Sequence, residues 1–383
     1  MKYKKKILFL TGTRADFGKL KRLMQAVEAS NNFELLIFVT GMHTLSHYGL
    51  TGVEVHKAGF SNIHTFINQL LGEPMELILA NTISGLSRYV HEHKPDMIVV
   101  HGDRIEALAG AIVGALCNIL VAHVEGGERS GTIDDLIRHS VTKLSHIHFV
   151  ANEEAANRLR QLGEDPQSIF VIGSPDIDLM LSPDLPTLEK VKKRYEIDFE
   201  DYGIVLFHPV TTELEDIPHH AEQFVSAILE SECNYVILYP NNDEGCRAIF
   251  AEYERLKNNT RFRLLPSLRF EYFLTLLKHT SFIIGNSSAG IREAPVYAVY
   301  SINVGTRQNN RFHYNSIINV SNEKEKILEA IEKVKKLPLL EPSQYFGDGK
   351  STERFMHTLD RERIWQTPKQ KQFYDLDQNN TSF

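Results

Sequence analysis

Lys5-Lys-Ile-Leu-Phe-Leu-Thr-Gly-Thr-Arg-Ala-Asp-Phe-Gly18 decides the fold. An apolar run of strand length ends in a glycine turn, and a polar residue pair opens an amphipathic stretch over 19–28. That order reads as strand, tight turn, helix. Working outward, apolar runs at 33–39, 96–101, 119–124, 148–150 and 169–172 read as further strands. The stretches 75–91, 105–116, 134–144 and 153–162 read as the helices between them. The strand runs are hydrophobic throughout instead of alternating, which predicts parallel strands buried on both faces. Right-handed crossovers then give an open, doubly wound α/β sheet.

The pattern restarts after a junction at 175–186, where Ser182-Pro-Asp-Leu-Pro186 reads as a linker before a charged helix over 187–194. Strands are expected at 204–207, 235–239, 262–265, 282–285 and 301–304. Helices are expected at 219–229, 244–257, 270–278 and 323–335. The expected organisation is a first domain over 1–175, a second over 176–365 and a polar tail over 366–383, frayed or packed loosely on a neighbour. Two such halves place a cleft between the carboxyl ends of both sheets, where this architecture binds ligands.

Composition narrows the ligand. The 383 residues are 42% hydrophobic and 24% charged, with a net charge of −7. No overall positive field attracts nucleic acid or anionic lipid. An anionic ligand must be held by local Arg, His and backbone N–H groups. Three cysteines without a C-x-x-C pattern exclude a disulfide framework and fit a reducing compartment. The apolar run after the basic start, 7–10, is too short for a signal peptide, and 107–122 falls short of a membrane span. A cytoplasmic protein is expected. No histidine pair has a metal-ligand spacing with carboxylates, so no metal and no cofactor are expected.

The loops after the strands carry the chemistry. Thr11-Gly-Thr-Arg14 offers close backbone approach, helix N–H groups and a guanidinium to an anion. In His101-Gly-Asp-Arg104, Asp103 stands where a strand gives way to a helix, the position of an N-cap as well as of a catalytic carboxylate. In His123-Val-Glu-Gly-Gly127, Glu125 ends a buried strand. A carboxylate there is costly to bury. It reads either as an acid or base with a raised pKa or as half of an ion pair. Asp134 is a further acid or a helix cap. Phe207-His-Pro-Val-Thr-Thr212 presents His208 for a phosphate or a proton. Gly285-Asn-Ser-Ser-Ala-Gly-Ile-Arg-Glu293 joins strand, glycine, paired hydroxyls and a helix start, a setting for a pyrophosphate on Ser287 and Ser288 with Glu293 facing back toward ribose hydroxyls.

Taken together, these loops resemble the hydrolysing UDP-N-acetylglucosamine 2-epimerases of bacterial sialic acid synthesis. The resemblance runs from Thr11-Gly-Thr-Arg-Ala-Asp-Phe-Gly-Lys-Leu20 to Ser351-Thr-Glu-Arg-Phe355. It includes Val39-Thr-Gly-Met-His43, Ser130-Gly-Thr-Ile-Asp-Asp135, Ile172-Gly-Ser-Pro-Asp176, Tyr239-Pro-Asn-Asn-Asp243 and Gly305-Thr-Arg-Gln308. It implies two Rossmann-like domains of the GT-B type. It implies catalysis by Asp103, Glu125, Asp134 and His208. Substrate contacts are expected from Arg14, Asp16, His43 and Arg104 on one side, and from Phe273, beside the uracil, Asn286, Ser287, Ser288, Glu293 and Arg307 on the other. The implied ligands are UDP-N-acetylglucosamine and UDP, and the implied assembly is a homodimer or homotetramer. One block departs: Tyr297-Ala-Val-Tyr-Ser-Ile-Asn303 stands where the family pattern has Gly-x-Pro before the next strand, with an Asp in it, so Ala298, Tyr300 and Asn303 differ. A 4-acetamido-4,6-dideoxy donor, a GT-B glycosyltransferase and a non-catalytic nucleotide-sugar sensor remain competing readings.

Overall fold

The computed structural model describes residues 4–130, 133–309 and 312–375. The first sheet comprises β1 (Lys5–Thr11), β2 (Phe33–Val39), β3 (Ile63–Thr65), β4 (Met97–His101), β5 (Leu120–Val124), β6 (Ile147–Val150) and β7 (Ile169–Val171). Its order is β3-β2-β1-β4-β5-β6-β7, every pairing parallel. The second comprises β8 (Gly203–Leu206), β9 (Tyr235–Leu238), β10 (Phe262–Leu265), β11 (Phe282–Gly285), β12 (Ser301–Val304) and β13 (Ile317–Val320). Its order is β10-β9-β8-β11-β12-β13, again all parallel.

Burial explains the continuous apolar runs. On β1, Ile7 and Phe9 face one layer with Leu20, Met24 and Val27, while Leu8 and Leu10 face another with Leu86, Val100 and Ala111. Each such side chain contributes about 1.5–3 kcal/mol when fully buried. Chain order reverses between β1 and β4 in one sheet and between β8 and β11 in the other. The loops after those strands open at the two switch points, and they are the chemistry-bearing loops of the sequence.

Two strands were not expected. β3 has three residues at a sheet edge, and β13 is an only partly buried edge strand interrupted by Asn319. One boundary also differs. The helices Ser351–Leu359 and Glu362–Trp365 put Phe355, Leu359 and Ile364 into the core of the first sheet. The second domain, expected to run to 365, is therefore left by the chain earlier. The crossing lies beside the outward one: the Ser174 N–H donates to the Phe346 carbonyl at 2.7 Å, and the Asp178 carboxylate accepts from the N–H groups of Ser351 and Thr352 at 2.8 and 2.7 Å.

The described part of the tail packs on its own chain instead of fraying. The Lys371 ammonium donates to the carbonyls of Thr142, Lys143 and Ser145 at 3.1, 3.0 and 2.6 Å. These carbonyls end the helix Ile133–Leu144 and lack intrahelical partners, so a cation there satisfies them. The rest of the expected tail, 376–383, lies outside the described residues. Among the described residues no helix is long and apolar enough to cross a membrane.

Candidate active site

Both sheets open onto one cleft of about 300 Å³. Its second-domain wall begins at Gly285, where φ is +133° and a Cβ would lie 2.1 Å from the Leu206 carbonyl oxygen. Only glycine fits so close an approach. Ser287 and Ser288 follow and line the cleft. The expected helix start is absent. Ser288–Gly290 and Ala294–Tyr297 are short 3₁₀ turns, because Pro295 supplies no N–H and Ala298 turns left-handed at φ 57°. The hydroxyls and a few turn N–H groups, not a helix end, are the donors here.

Asn286 does not reach the cleft. It braces the wall from behind: its Oδ1 accepts from the His208 N–H at 2.7 Å and its Nδ2 donates to the His208 carbonyl at 2.8 Å. The His208 ring accepts the Asn241 N–H on Nδ1 at 3.1 Å, which puts its own proton on Nε2. Burial, then Arg307 and Arg104, hold His208 well below the usual imidazole range, so it is a neutral donor. Phe273 is buried along the same wall, and Arg307 spans from the Asn286 carbonyl to Asp134.

The first-domain wall is made of charges. Glu125 follows β5 at φ 63°, a left-handed conformation that costs a non-glycine residue about 1–2 kcal/mol. Its carboxylate accepts from His101 Nε2 at 2.9 Å, from Arg292 at 2.6 Å and from the Ser174 hydroxyl. Burial opposes its charge, but Arg292, Lys19 and His101 outweigh that and hold it well below the usual carboxylate range. The raised pKa expected of Glu125 is thus replaced by its opposite: the ion-pair reading is the one the geometry supports. His101 lies between Glu125 and Asp16, whose Oδ1 is 3.2 Å from Nδ1. Burial disfavours its charge, yet Glu125 and Asp16 push it up to about 9, so it is an imidazolium.

The other expected residues are placed similarly. Asp103 pairs with Arg138, whose second nitrogen donates to the Glu125 carbonyl at 2.6 Å. Asp134 meets Arg307 of the opposite wall at 3.3 Å. Arg14 crosses the cleft to Ser267 Oγ at 2.8 Å, and Arg104 lies 3.9 Å from Asp243. Glu293 is reached by Lys19 at 2.7 Å, and the same ammonium is 2.9 Å from Asp176. Burial raises Glu293 beyond what Lys19 offsets, while Lys19 outweighs burial at Asp176 and holds it low. His43 is the second residue that does not line the cleft. Its ring is wedged between the hydroxyls of Thr11 and Thr51 at 3.1 and 2.7 Å, and burial lowers it to about 4. It supports the floor of the first loop.

Lys19, Arg138 and Arg292 were missed. Lys19 sits in an amphipathic helical stretch where a solvated lysine is ordinary. Arg292 stands beside Glu293 inside a quoted motif, which was the available signal, but its partner Glu125 is 167 residues away.

Comparison with known proteins gives these features a family. The family described as UDP-N-acetylglucosamine 2-epimerase matches residues 25–360. The UDP-N-acetylglucosamine 2-epimerase of Neisseria meningitidis serogroup B is 51% identical over 375 residues, covering 97% of this chain and 99% of the relative. A hydrolysing UDP-N,N'-diacetylbacillosamine 2-epimerase of Legionella pneumophila is 33% identical, covering 93% of this chain and 95% of the relative. The fold matches the crystal structure of the Methanocaldococcus jannaschii UDP-GlcNAc 2-epimerase in complex with UDP-GlcNAc and UDP, with a TM-score of 0.79 at 24% identity, covering 92% of this chain and 99% of that one. Two parallel-sheet α/β domains, the GT-B-like arrangement, are common to both. The chain belongs to the UDP-N-acetylglucosamine 2-epimerase family.

Proposed function

We propose that this chain hydrolyses UDP-N-acetylglucosamine with inversion at C2, giving N-acetylmannosamine and UDP as the first step of sialic acid synthesis. The observation that carries the reading is the division of the cleft. One wall offers the hydroxyls of Ser287 and Ser288, a neutral His208 and the Arg307 guanidinium, a setting for a diphosphate. The facing wall brings the carboxylates of Asp103, Glu125 and Asp134 together with the guanidinium groups of Arg14 and Arg104. In this reading Phe273 flanks the base, Glu293 takes the ribose hydroxyls, and Arg14, Asp16 and Arg104 close over the nucleotide. Asn286 and His43 act by positioning these loops.

The chemistry follows from the sugar. Its C2–H has no adjacent carbonyl and is not acidic until the C1–O bond weakens. As that bond breaks, UDP leaves with the electron pair and positive charge develops at C1. A base then removes the C2 proton, leaving 2-acetamidoglucal. Water adds back, OH to C1 and H to C2, from the face that inverts C2. Glu125, locked as an anion by Arg292 and His101, suits electrostatic stabilisation of the charge at C1 better than proton abstraction. Asp103 and Asp134 are then the proton carriers, and His208 Nε2–H donates to the departing diphosphate. No cofactor enters this scheme. The enzyme is proposed to act as a cytoplasmic homodimer or homotetramer. The 51% identity to the Neisseria protein, against 33% to the diacetylbacillosamine enzyme, favours UDP-N-acetylglucosamine over a 4-acetamido-4,6-dideoxy donor.

The test is the reaction run in D2O with UDP-N-acetylglucosamine alone. Free N-acetylmannosamine carrying deuterium at C2 is expected, with an equal amount of UDP. A product still attached to UDP would identify a non-hydrolysing epimerase. UDP release only with an added acceptor would identify a transferase.

A further inference from the structure

A second chamber adjoins the cleft. It has a volume of about 270 Å³ and shares Asp103, Arg104 and Asp134 with the main cavity. That volume accommodates a sugar ring. Its charge is opposite to that of a nucleotide site. Glu73, Glu76, Asp243 and Glu244 line it in addition to the two shared aspartates, and Arg104 is the cation on its wall among the described residues. A diphosphate is repelled there, and an uncharged ligand is not.

The wall also carries polar side chains that are at least nine-tenths buried and have no hydrogen-bond partner among the described residues. Gln69 Nε2 and Asn242 Nδ2 are donors of this kind, and both oxygens of Glu106 are acceptors. Arg104 Nε is 3.7 Å from Glu106 Oε2, beyond hydrogen-bond distance. Asn242 is held by its other atom, Oδ1, which accepts the Gly72 N–H at 3.1 Å and so fixes Nδ2. Buried polar groups of this kind are costly to leave desolvated unless a ligand satisfies them. A pyranose hydroxyl both donates and accepts, and an acetamido group does the same through its N–H and C=O. The set of two amide donors and one carboxylate is complementary to such groups.

We propose that this chamber is a subsite for the uncharged acetamido sugar, through which free product leaves while UDP still occupies the main cleft. The inference rests on the hydrolytic reading, because only hydrolysis releases a neutral sugar beside a bound nucleotide. It assigns Gln69, Asn242 and Glu106 to sugar binding and gives the acidic wall a purpose: it keeps the anionic donor and UDP out of the exit.

The experiment titrates N-acetylmannosamine into the full-length protein saturated with UDP, read by saturation-transfer NMR. Binding is expected in the presence of UDP. It should weaken at least tenfold in Gln69→Leu and in Asn242→Asp, with UDP affinity unchanged within twofold. Asn242→Asp keeps the oxygen that accepts from Gly72 and replaces only the donor, so it guards against a folding artefact. Absence of sugar binding to the UDP complex, or binding untouched by both substitutions, overturns the chamber. The two readings fail separately. A wild-type protein that releases free N-acetylmannosamine but does not bind it beside UDP loses only the subsite. A protein that releases no free sugar loses the hydrolytic reading and, with it, the product role of the chamber.

Discussion

The two walls of the cleft are held by different physics. The second-domain wall is fixed by neutral hydrogen bonds, chiefly the Asn286 side chain clasping the His208 backbone from both sides. The first-domain wall is fixed by charges, some paired within the domain, as Asp103 with Arg138, and others paired across the cleft: Glu125 with Arg292, Asp134 with Arg307, and Lys19 with Glu293. A neutral wall keeps its shape whether or not the domains close. A charged wall paired across the cleft ties the state of its carboxylates to the closeness of the halves. In the proposed reading the diphosphate thus rests on the neutral side, and the groups proposed for chemistry rest on the side paired across the cleft.

The sharpest way to break this contrast is to remove the cation that joins the walls. Arg292→Ala leaves Glu125 and Glu128 buried without their guanidinium and removes a cation–π contact to Phe346 at 4.8 Å. Breaking a buried pair from one side costs about 3–5 kcal/mol. Urea unfolding should show that loss, and Arg292→Lys should recover part of it. A loss below about 1 kcal/mol would mean that Glu125 has other adequate partners, against the general range for exposed pairs.

The neutral wall is tested by the nucleotide alone. Ser287→Ala combined with Ser288→Ala should weaken UDP binding by roughly 2–4 kcal/mol, if each charge-assisted bond contributes about 1–2. Calorimetry reads this directly, and folding stability should fall by only about 1 kcal/mol, from the loss of the Ser287 hydroxyl's bond to the Ala289 N–H. Unchanged UDP affinity would remove these serines from the nucleotide site.

A third test uses proton linkage at His101. Its folded pKa of about 9 lies above the ordinary imidazole value near 6.5. The stability it contributes is therefore complete below about pH 6.5 and is lost as pH climbs through about 9. The loss should amount to roughly 3–4 kcal/mol, at about 1.4 kcal/mol per unit of pKa difference. Urea unfolding of the wild type from pH 6 to pH 9.5 should show the decline, and His101→Gln should flatten it. Parallel profiles for the two proteins would show that Asp16 and Glu125 do not hold a charged imidazole.

The sequence carried one kind of information about this site well and another poorly. β1, β4, β5, β8 and β11 were legible because parallel strands buried on both faces are apolar throughout, and the loops that follow them had to meet at the switch points. β13 was not, because a partly exposed edge strand containing Asn319 has neither that run nor a clean alternation. Twelve of the candidate residues line the cleft and two, His43 and Asn286, stand behind it. Their neighbourhood in the chain placed them, but direction of the side chain is set by tertiary contacts. The sign of the shift at Glu125 was illegible for the same reason: burial alone raises a carboxylate, and the arginine that reverses it belongs to the other domain. The helices that return to the first core, with Phe355 and Leu359, look like any amphipathic end of a second domain until their partners are known.

The smallest expected effect compares two left-handed residues, one on each side of the cleft. Glu125 at φ 63° and Ala298 at φ 57° both occupy a conformation that favours glycine. At Glu125 the strain accompanies a carboxylate that Arg292, His101 and Ser174 hold in place, so glycine would relieve the backbone and destroy the contacts. At Ala298 the side chain is a methyl group, which makes no hydrogen bond or ion pair to lose. Its N–H donates to the Pro295 carbonyl at 3.1 Å, a turn bond that glycine keeps, and the family pattern resembled by this chain has glycine there. Left-handed backbone costs alanine about 1–2 kcal/mol, while the extra freedom of glycine in the unfolded chain costs about 0.4–1. Ala298→Gly should therefore stabilise the protein by about 0–1.6 kcal/mol, a shift of a few degrees at most in the thermal midpoint, with UDP affinity unchanged within about twofold because the residue does not line the cleft. Destabilisation by more than about 1 kcal/mol would mean that the methyl group packs where the turn needs it, and that this departure from the family pattern has been absorbed by its neighbours Tyr300 and Asn303, which bond to the Pro338 carbonyl and to Asn319 at 2.8 Å each.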